Sequence, residues 1–235
     1  MNKKNEFGYG VDYARQIILN ALNFGSVKIN AQEPFQWKSG YRMPIYNNNR
    51  ILANKKVNRA LVWGGFIDLM KKNNIPNPDI FSGVAIGGIP WAILIAHELG
   101  CDFIYVRSEN KGHGLKQTIE CLGSNEEVKG KKIIIIEDLF STGGSSLEII
   151  DNVREAGGIV DFCLAIFSYE FPETEKVFKT AKCANLSIAN YDTLLDVGLE
   201  HGFFKKSEEK LLKEWREDPL GWGEKNGFPR VVSSL

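Results

Sequence analysis

The sequence lacks the features that would mark a membrane, secreted or nucleic-acid-binding protein. It has no run of 18 uninterrupted apolar residues, and its start, MNKKNEFGYG, is not that of a signal peptide. Basic and acidic residues are equally frequent, 29 each, so the chain has no overall positive charge with which to bind nucleic acid. Internal repeats and low-complexity linkers are also missing. We therefore expect neither a membrane nor a nucleic acid as partner.

Cysteine is scarce, and its spacing excludes the common cysteine-based sites. None of the 4 cysteines forms a C-x-x-C pair, and no cluster of histidine and cysteine indicates a metal bound directly by the protein. This pattern favours reduced, mostly buried thiols in a cytoplasmic protein. The chain does have length and apolar content. Its 235 residues, 43% of them hydrophobic, suffice for one α/β domain with additions, or at most two domains.

One segment, KKIIIIEDLFSTGGSSLEIIDNVRE, has the strongest local pattern. Four consecutive isoleucines at 133–136 predict a strand that is buried on both faces of a parallel sheet. Glu137 and Asp138 follow at the predicted carboxyl end of that strand. Ser145, with Glu148 three residues later, matches a capping box and predicts the start of a helix.

A polar loop of serine, threonine and two glycines, 141–144, lies between the acidic pair and this helix. Glycines let backbone amides approach a ligand, and a helix N-terminus adds N–H donors and a partial positive charge. Carboxylates directly before such a loop suit a ligand with hydroxyl groups, such as ribose, or a metal. The residues alone thus suggest a sugar-phosphate site, although they also fit a glycine-rich turn that merely follows a core strand. Neither G-x-x-x-x-G-K-[ST] nor a complete G-x-G-x-x-G is present.

The same segment resembles a family signature. IIIIEDLFSTGGSS is similar, position by position, to the phosphoribosyl-pyrophosphate (PRPP) signature of type I phosphoribosyltransferases. The resemblance implies that the acidic pair holds the ribose hydroxyls, or water bound to Mg²⁺, and that residues 141–145 hold the 5′-phosphate. The residues implied to bind PRPP here are Glu137, Asp138, Leu139, Phe140, Ser141, Thr142, Gly143, Gly144 and Ser145.

A second pattern lies in residues 35–50, FQWKSGYRMPIYNNNR. On its own it predicts a hairpin around Ser39 and Gly40 with solvated charges. The motif K-S-G-x-x-x-P-x-Y, however, resembles the N-terminal segment of orotate phosphoribosyltransferases, which forms a small hood over the site. The resemblance implies that Lys38 and Ser141 bind orotate. It also separates this chain from other type I enzymes.

The polar stretch RSENKGHGLKQ, which begins at Arg107, gives a third pattern. Arg107, Lys111 and His113 would not align on one regular element, so the residues alone favour an exposed hairpin tip. R-x-x-x-K-x-H-G resembles the family's catalytic loop, which closes over PRPP and often reaches the neighbouring subunit's site. This implies that the three residues are catalytic together with Asp138, and that the protein is a homodimer with shared active sites. Some relatives have a lysine where this chain has Ser108, so one cation of that loop is absent.

Strands that alternate with helices predict an α/β fold, with a parallel sheet flanked by helices like that of type I phosphoribosyltransferases. Three loops, after Val84, Val106 and Ile136, leave the carboxyl ends of predicted strands, where such sheets bind ligands. We expect residues 1–235 to form a single domain. Its parts are an N-terminal helix and hood over 1–55, a PRPP-binding core over 56–190 and a helical tail over 191–235.

The resemblance as a whole implies transfer of the 5-phosphoribosyl group from PRPP to orotate, giving orotidine 5′-monophosphate and pyrophosphate in de novo UMP biosynthesis. Mg²⁺ is the implied cofactor and would enter with PRPP. Two alternatives stay open: a phosphoribosyltransferase for a purine or another base, and a PRPP-sensing regulator that binds nucleic acid. No arginine follows the strand predicted to end near Phe167, so the sequence names no partner for the orotate carboxylate.

Overall fold

A computed structural model describes residues 10–37, 39–107 and 119–231. The helices of these residues are α1 (Tyr13–Asn23), α2 (Lys56–Lys72), α3 (Ile89–Leu99), α4 (Gly144–Glu155), α5 (Pro172–Thr180), α6 (Tyr191–Glu200), α7 (Glu209–Glu217) and α8 (Trp222–Lys225). The strands are β1 (Val27–Ile29), β2 (Phe35–Gln36), β3 (Arg42–Met43), β4 (Ile45–Asn47), β5 (Ile80–Val84), β6 (Asp102–Val106), β7 (Ile119–Glu120), β8 (Lys132–Phe140), β9 (Ile159–Ser168) and β10 (Ala184–Asn190). Short 3-10 helices cover Asn49–Asn54, Asn125–Val128 and Lys206–Glu208.

A six-stranded sheet forms the centre of the fold, in the order β10-β9-β8-β5-β6-β7. Its strands are parallel except for β7, which pairs antiparallel with β6 at the edge. The predicted parallel sheet flanked by helices is confirmed, and the antiparallel edge strand is an addition to it. The chain runs from β5 to β6 on one side and then returns to the other side of β5 to form β8. Strand order therefore reverses between β5 and β8, and such reversals open a crevice at the carboxyl ends of the strands.

The four isoleucines lie in the middle of β8 and contact apolar layers on both faces of the sheet. Ile134 and Ile136 belong to the core under α1, α2 and α3, whereas Ile133 and Ile135 belong to the core under α4 and α5. All four are at most 3% exposed. Successive side chains of a strand point to opposite faces, so an unbroken apolar run fits a strand that is covered twice. The prediction of a doubly buried strand is confirmed.

Two local predictions about this region are wrong. The pairing of β8 with β9 continues to Phe140, so Glu137 and Asp138 lie inside the strand rather than after its end. The helix begins at Gly144, and its N-cap is Gly143, with φ of +81° and no side-chain capping hydrogen bond. Ser145 therefore lies in the first turn of α4. A residue in the left-handed region turns the chain sharply at little cost when it is glycine, and this replaces the serine cap.

The hood segment forms two small antiparallel pairs, β1 with β4 and β2 with β3. The predicted turn at Ser39 and Gly40 is present between β2 and β3, where the Gly40 N–H donates to the Trp37 carbonyl oxygen at 2.8 Å. The segment then enters the 3-10 helix Asn49–Asn54, which contacts β8. The hood is thus placed over the carboxyl end of the strand that carries the acidic pair.

The C-terminal helices extend the core on the hood side. Trp215 of α7 is fully buried, and its ring packs edge-on against Tyr169 and Phe171 at centroid distances of 5.1 and 5.4 Å. Trp222 of α8 stacks on Phe228 at 6.0 Å and donates from Nε1 to the Leu211 carbonyl oxygen. Both tryptophans therefore hold the tail against the rest of the molecule.

All four cysteines lie in the described part of the chain and are unpaired thiols. Cys163 and Cys183 are buried and Cys101 is half-buried, but Cys121 is exposed, so the expectation of mostly buried thiols is wrong for Cys121. Within residues 10–37, 39–107 and 119–231, no helix has the length and apolar character needed to cross a bilayer.

Candidate active site

The crevice between the carboxyl ends of β5 and β8 contains a cavity of about 270 Å³. Three separate parts of the chain meet there, namely the hood, the loop after β5 and the end of β8 with the start of α4. The lining residues are Asn47, Asn48, Arg50, Val84, Ala85, Gly87, Glu137, Asp138, Leu139 and Ser145. The loops predicted after Val84 and Ile136 thus do converge at one place.

The carboxylate of Asp138 faces the loop that follows β5. A Cβ atom added at Gly87 would lie 2.4 Å from that carboxyl group, and one added at Gly88 would lie 2.1 Å from the Ile136 carbonyl oxygen. Side chains at these two positions would therefore push the loop away from β8. The glycines let the loop backbone lie directly against the strand and beside Asp138. The peptide bond between Ala85 and Ile86 in this loop is cis.

Glu137 is turned into the protein and is only 5% exposed. Its Oε1 accepts the Asp138 N–H at 2.9 Å, and its carboxyl group is also hydrogen-bonded to Ser146. Burial raises the pKa of Glu137 well above its ordinary value of 4.5, and the nearby charge of Asp138 raises it further. The two acidic residues therefore have different roles. A ligand can reach the carboxylate of Asp138, whereas that of Glu137 is held by its neighbours.

The loop 141–144 is anchored from the side of α5. The Thr174 hydroxyl donates to the Ser141 carbonyl oxygen, and a Cβ atom at Gly143 would lie 3.4 Å from both Val177 and Phe178. Thr142 and Ser145 are exposed. The first N–H groups of a helix have no intrahelical partner, so the start of α4 offers free donors at this point. Anchored on one side and open on the other, the loop has the form of an anion-binding site.

Leu139 and Phe140, both implied to contact PRPP, occupy different environments. Leu139 lines the cavity. Phe140 is 1% exposed, and its ring packs edge-on against Phe178 at a centroid distance of 5.0 Å. The Phe140 side chain therefore belongs to the core.

The three consecutive asparagines also contribute to the site, a role that the sequence patterns did not predict. Asn49 is 2% exposed, and its Nδ2 donates to the Asp138 carbonyl oxygen at 2.7 Å. Asn47 lines the cavity, and in the described part of the chain neither its amide nitrogen nor its amide oxygen has a hydrogen-bond partner. Asn48 accepts from Nε of Arg50 at 2.9 Å. The available signal was a run of short amide side chains that begins at the last residue of a strand, in a segment already expected to cover a site.

Arg107 is the member of the predicted catalytic loop that the structure describes. Its guanidinium forms an ion pair with Glu120 of β7, and Arg107 is not among the residues that line the cavity. The pair joins the residue before 108–118 to the strand that follows. Both side chains are partly exposed, so the ion pair contributes little to stability. Lys111 and His113 lie outside the described residues, as does Lys38 of the hood.

A larger cavity, of about 540 Å³, lies beside this crevice at the carboxyl ends of β9 and β10. Its walls include Ser168, Glu170 and Asn190, but neither acidic residue of β8. We place the candidate site in the smaller crevice because Asp138, the loop before α4 and the hood meet there.

Comparison with known proteins points to one family. The family described as "Phosphoribosyl transferase domain" matches residues 66–184, which include β5, β8 and the loop 141–144. The orotate phosphoribosyltransferase of Streptococcus agalactiae is 36% identical to this chain over 212 residues, which are 90% of this chain and 99% of that relative.

Solved structures show the same fold. The orotate phosphoribosyltransferase of Aeropyrum pernix has a TM-score of 0.68 at 24% identity and covers 80% of this chain and 99% of its own. The orotate phosphoribosyltransferase of Mycobacterium tuberculosis H37Rv, solved in complex with PRPP, has a TM-score of 0.61 at 21% identity and covers 80% of this chain and 100% of its own. At these identities the likeness is one of fold.

Proposed function

Because the chain belongs to the orotate phosphoribosyltransferases of the phosphoribosyltransferase family, we propose that it transfers the 5-phosphoribosyl group of PRPP to orotate. The products are orotidine 5′-monophosphate and pyrophosphate, and the reaction is a step of de novo UMP synthesis. One observation carries the proposal. The reachable carboxylate of Asp138, the anion-binding loop 141–145 and the hood residue Asn49 meet at the strand-order reversal between β5 and β8.

The 5′-phosphate and the ribose of PRPP each have a partner of suitable chemistry in this arrangement. The 5′-phosphate accepts hydrogen bonds from the loop 141–145 and the first N–H groups of α4. The ribose hydroxyls donate to Asp138, which lies beside the loop after β5. Glu137 is a positioning residue, because its carboxyl group is already bound to the Asp138 N–H and to Ser146. Orotate lies under the hood, with Lys38 and Ser141 as its contacts.

The chemistry requires cations rather than a protein nucleophile. The bond from ribose C1 to the pyrophosphate oxygen breaks, a bond from C1 to N1 of orotate forms, and the N1 proton is lost. Negative charge grows on the departing pyrophosphate, so fixed positive groups there lower the barrier. Arg107, Lys111 and His113 supply them, and Arg107 must then exchange its contact with Glu120 for the pyrophosphate.

The residues present also fit Mg²⁺ that enters with PRPP. Asp138, which lines the cavity, is the reachable carboxylate of the acidic pair. Mg²⁺ in phosphate sites is commonly held by one or two carboxylates, water and the substrate's own oxygens. Bound in that way, it would neutralise charge on the pyrophosphate.

Two further parts of the proposal rest on the sequence. The loop 107–117 resembles one that reaches into a neighbouring subunit, so we propose a homodimer with shared active sites. The four unpaired cysteines, none of them in a C-x-x-C motif, fit a cytoplasmic enzyme.

The test is to incubate the full-length protein with PRPP and Mg²⁺ and to measure pyrophosphate release with a panel of bases. Orotate should stimulate release, and uracil, which differs from orotate by the missing carboxylate, should stimulate it far less. Comparable release with hypoxanthine or adenine would instead establish a purine enzyme. Tight PRPP binding with no base-dependent release would favour the regulator.

A further inference from the structure

The C-terminal residues 222–231, here called the C-terminal strap, contact the hood hairpin formed by β2 and β3. The Val231 N–H donates to the Gly40 carbonyl oxygen at 2.9 Å, and Nε of Arg230 donates to the Ser39 carbonyl oxygen at 3.0 Å. The Arg230 guanidinium also lies over the Tyr41 ring, 4.4 Å from its centre. Both carbonyl groups of the hairpin turn are therefore bound by the strap.

The fit between the strap and the turn is close. Gly40 has φ of +83°, and a Cβ atom there would lie 2.1 Å from the Val231 carbonyl oxygen. A Cβ atom at Gly223 would lie 3.3 Å from the Arg42 backbone, so α8 also packs directly on β3. Trp222, which is 1% exposed, fixes the other end of the strap in the core. The strap thus joins a buried part of the protein to the tip of the hood.

Few interactions within the hairpin itself stabilise it. β2 and β3 share two residue pairs, and the turn adds the bonds from Trp37 N–H to Tyr41 O and from Gly40 N–H to Trp37 O, at 3.0 and 2.8 Å. Isolated two-stranded hairpins are marginally stable in water. On the inner side the Met43 sulfur accepts from Nε1 of Trp215. On the outer side, the strap binds the turn that directly follows Lys38 in the sequence.

We propose that Arg230 is a positioning residue for orotate binding, and that the C-terminal strap fixes the hood hairpin in the place where it meets the base. The inference rests on the proposed function. It adds to that function a role for Arg230, which lies 191 residues after Ser39 along the chain. The strap touches the hairpin, and no residue of the strap is among those that line the cavity near the acidic pair. Loss of the strap should therefore affect orotate more than PRPP.

The experiment compares the full chain with Arg230→Ala and with a chain that ends at Pro229. Arg230→Ala should raise the KM for orotate about five- to tenfold, the effect of one charged hydrogen bond and one cation–π contact. The KM for PRPP should change less than about twofold, because its partners are elsewhere. The shorter chain should show a larger rise in the orotate KM, and Arg230→Lys a smaller one. Lys225→Ala is the matched control, since Lys225 lies in the same strap but pairs with Asp218 instead of the hairpin.

Amide hydrogen exchange provides a second readout that does not depend on activity. Exchange at Trp37 and Gly40 should become at least about tenfold faster in the shorter chain, while exchange at Ile135 in the central strand stays unchanged. Unchanged exchange at the hairpin, or equal rises in both KM values, would overturn the proposal. A full-length chain that never uses orotate would overturn the proposed function instead, and the exchange measurement would still decide whether the strap fixes the hairpin.

Discussion

Nδ2 of Asn49 donates to the backbone carbonyl oxygen of Asp138 at 2.7 Å, across 89 positions of the sequence. This bond ties the hood to the strand that carries the reachable carboxylate. Since Asn49 is 2% exposed, the bond is shielded from competing water. The hood and Asp138 are thus already positioned relative to each other before a substrate that contacts both of them binds.

Asn49→Ala should therefore lower both the stability of the fold and the affinity for PRPP. Leaving a buried carbonyl without its donor costs about 1–3 kcal/mol of unfolding free energy. Asn58→Ala is a matched control. Asn58 is as deeply buried as Asn49 and accepts one hydrogen bond, from Asn20, but it is not among the residues that line the cavity. Both variants should unfold at lower denaturant concentration, but calorimetric titration should show weaker PRPP binding for Asn49→Ala alone. Equal PRPP affinity in the two variants would mean that the bond serves the fold only.

Asp138→Asn should leave a folded protein with much weaker PRPP binding. The change removes the charge that strengthens a hydrogen bond from a ribose hydroxyl, which is worth roughly 1.5–3 kcal/mol. That range corresponds to a loss of affinity of roughly 10- to 150-fold. Asp151→Asn, at an exposed position of α4, is the control and should bind PRPP normally. Unchanged affinity and activity in Asp138→Asn would show that this carboxylate has a structural role.

The buried Glu137 should make the stability of the protein depend on pH. Its pKa in the folded protein lies above its ordinary value of 4.5, because of burial first and the charge of Asp138 second. As the pH rises above about 4.5, the unfolded chain releases this proton before the folded protein does, so the contribution of Glu137 to stability falls with rising pH. Glu137→Gln removes this titration. Its unfolding free energy relative to the natural protein should therefore increase between pH 4.5 and pH 8.

The same pH series on Glu148→Gln provides the control, because Glu148 is an exposed residue of α4. The difference in unfolding free energy between Glu148→Gln and the natural protein should be nearly constant over this pH range. A constant difference for Glu137→Gln as well would show that the buried carboxyl group does not retain its proton in the folded state.

Lys111 should act on the transition state and across the proposed dimer. If it meets charge that grows only as pyrophosphate leaves, Lys111→Ala should lower the turnover number by about a hundredfold or more and change KM values little. Mixing Lys111→Ala with Asp138→Asn should then restore activity, because a hybrid dimer contains one site with both groups intact. Mixing the Lys111→Ala protein with a protein that carries both Lys111→Ala and Asp138→Asn should restore no activity. If differently tagged subunits are seen to exchange and activity stays low, the loop serves its own subunit.

The sequence by itself determined the central strand, the alternation of strands and helices, and the presence of the acidic pair with a glycine-rich loop after it. These follow from local chemistry: β-branched runs form buried strands, and glycines before a helix allow a ligand close to the backbone. It also indicated the hood, since the motif around Ser39 and Gly40 lies in one continuous segment. The end of β8 was misplaced because its last residues are held by pairing with β9, which local pattern does not encode.

Only the tertiary structure decided which of two adjacent carboxylates is reachable. Glu137 and Asp138 are chemically alike, and the pleat of one strand sends their side chains to opposite faces, one into the core and one beside Gly87. The tertiary structure likewise brought Asn49 to Asp138 and Arg230 to Ser39. Such contacts join residues that are far apart in the chain, and they arise from how whole elements pack rather than from any pattern within one segment.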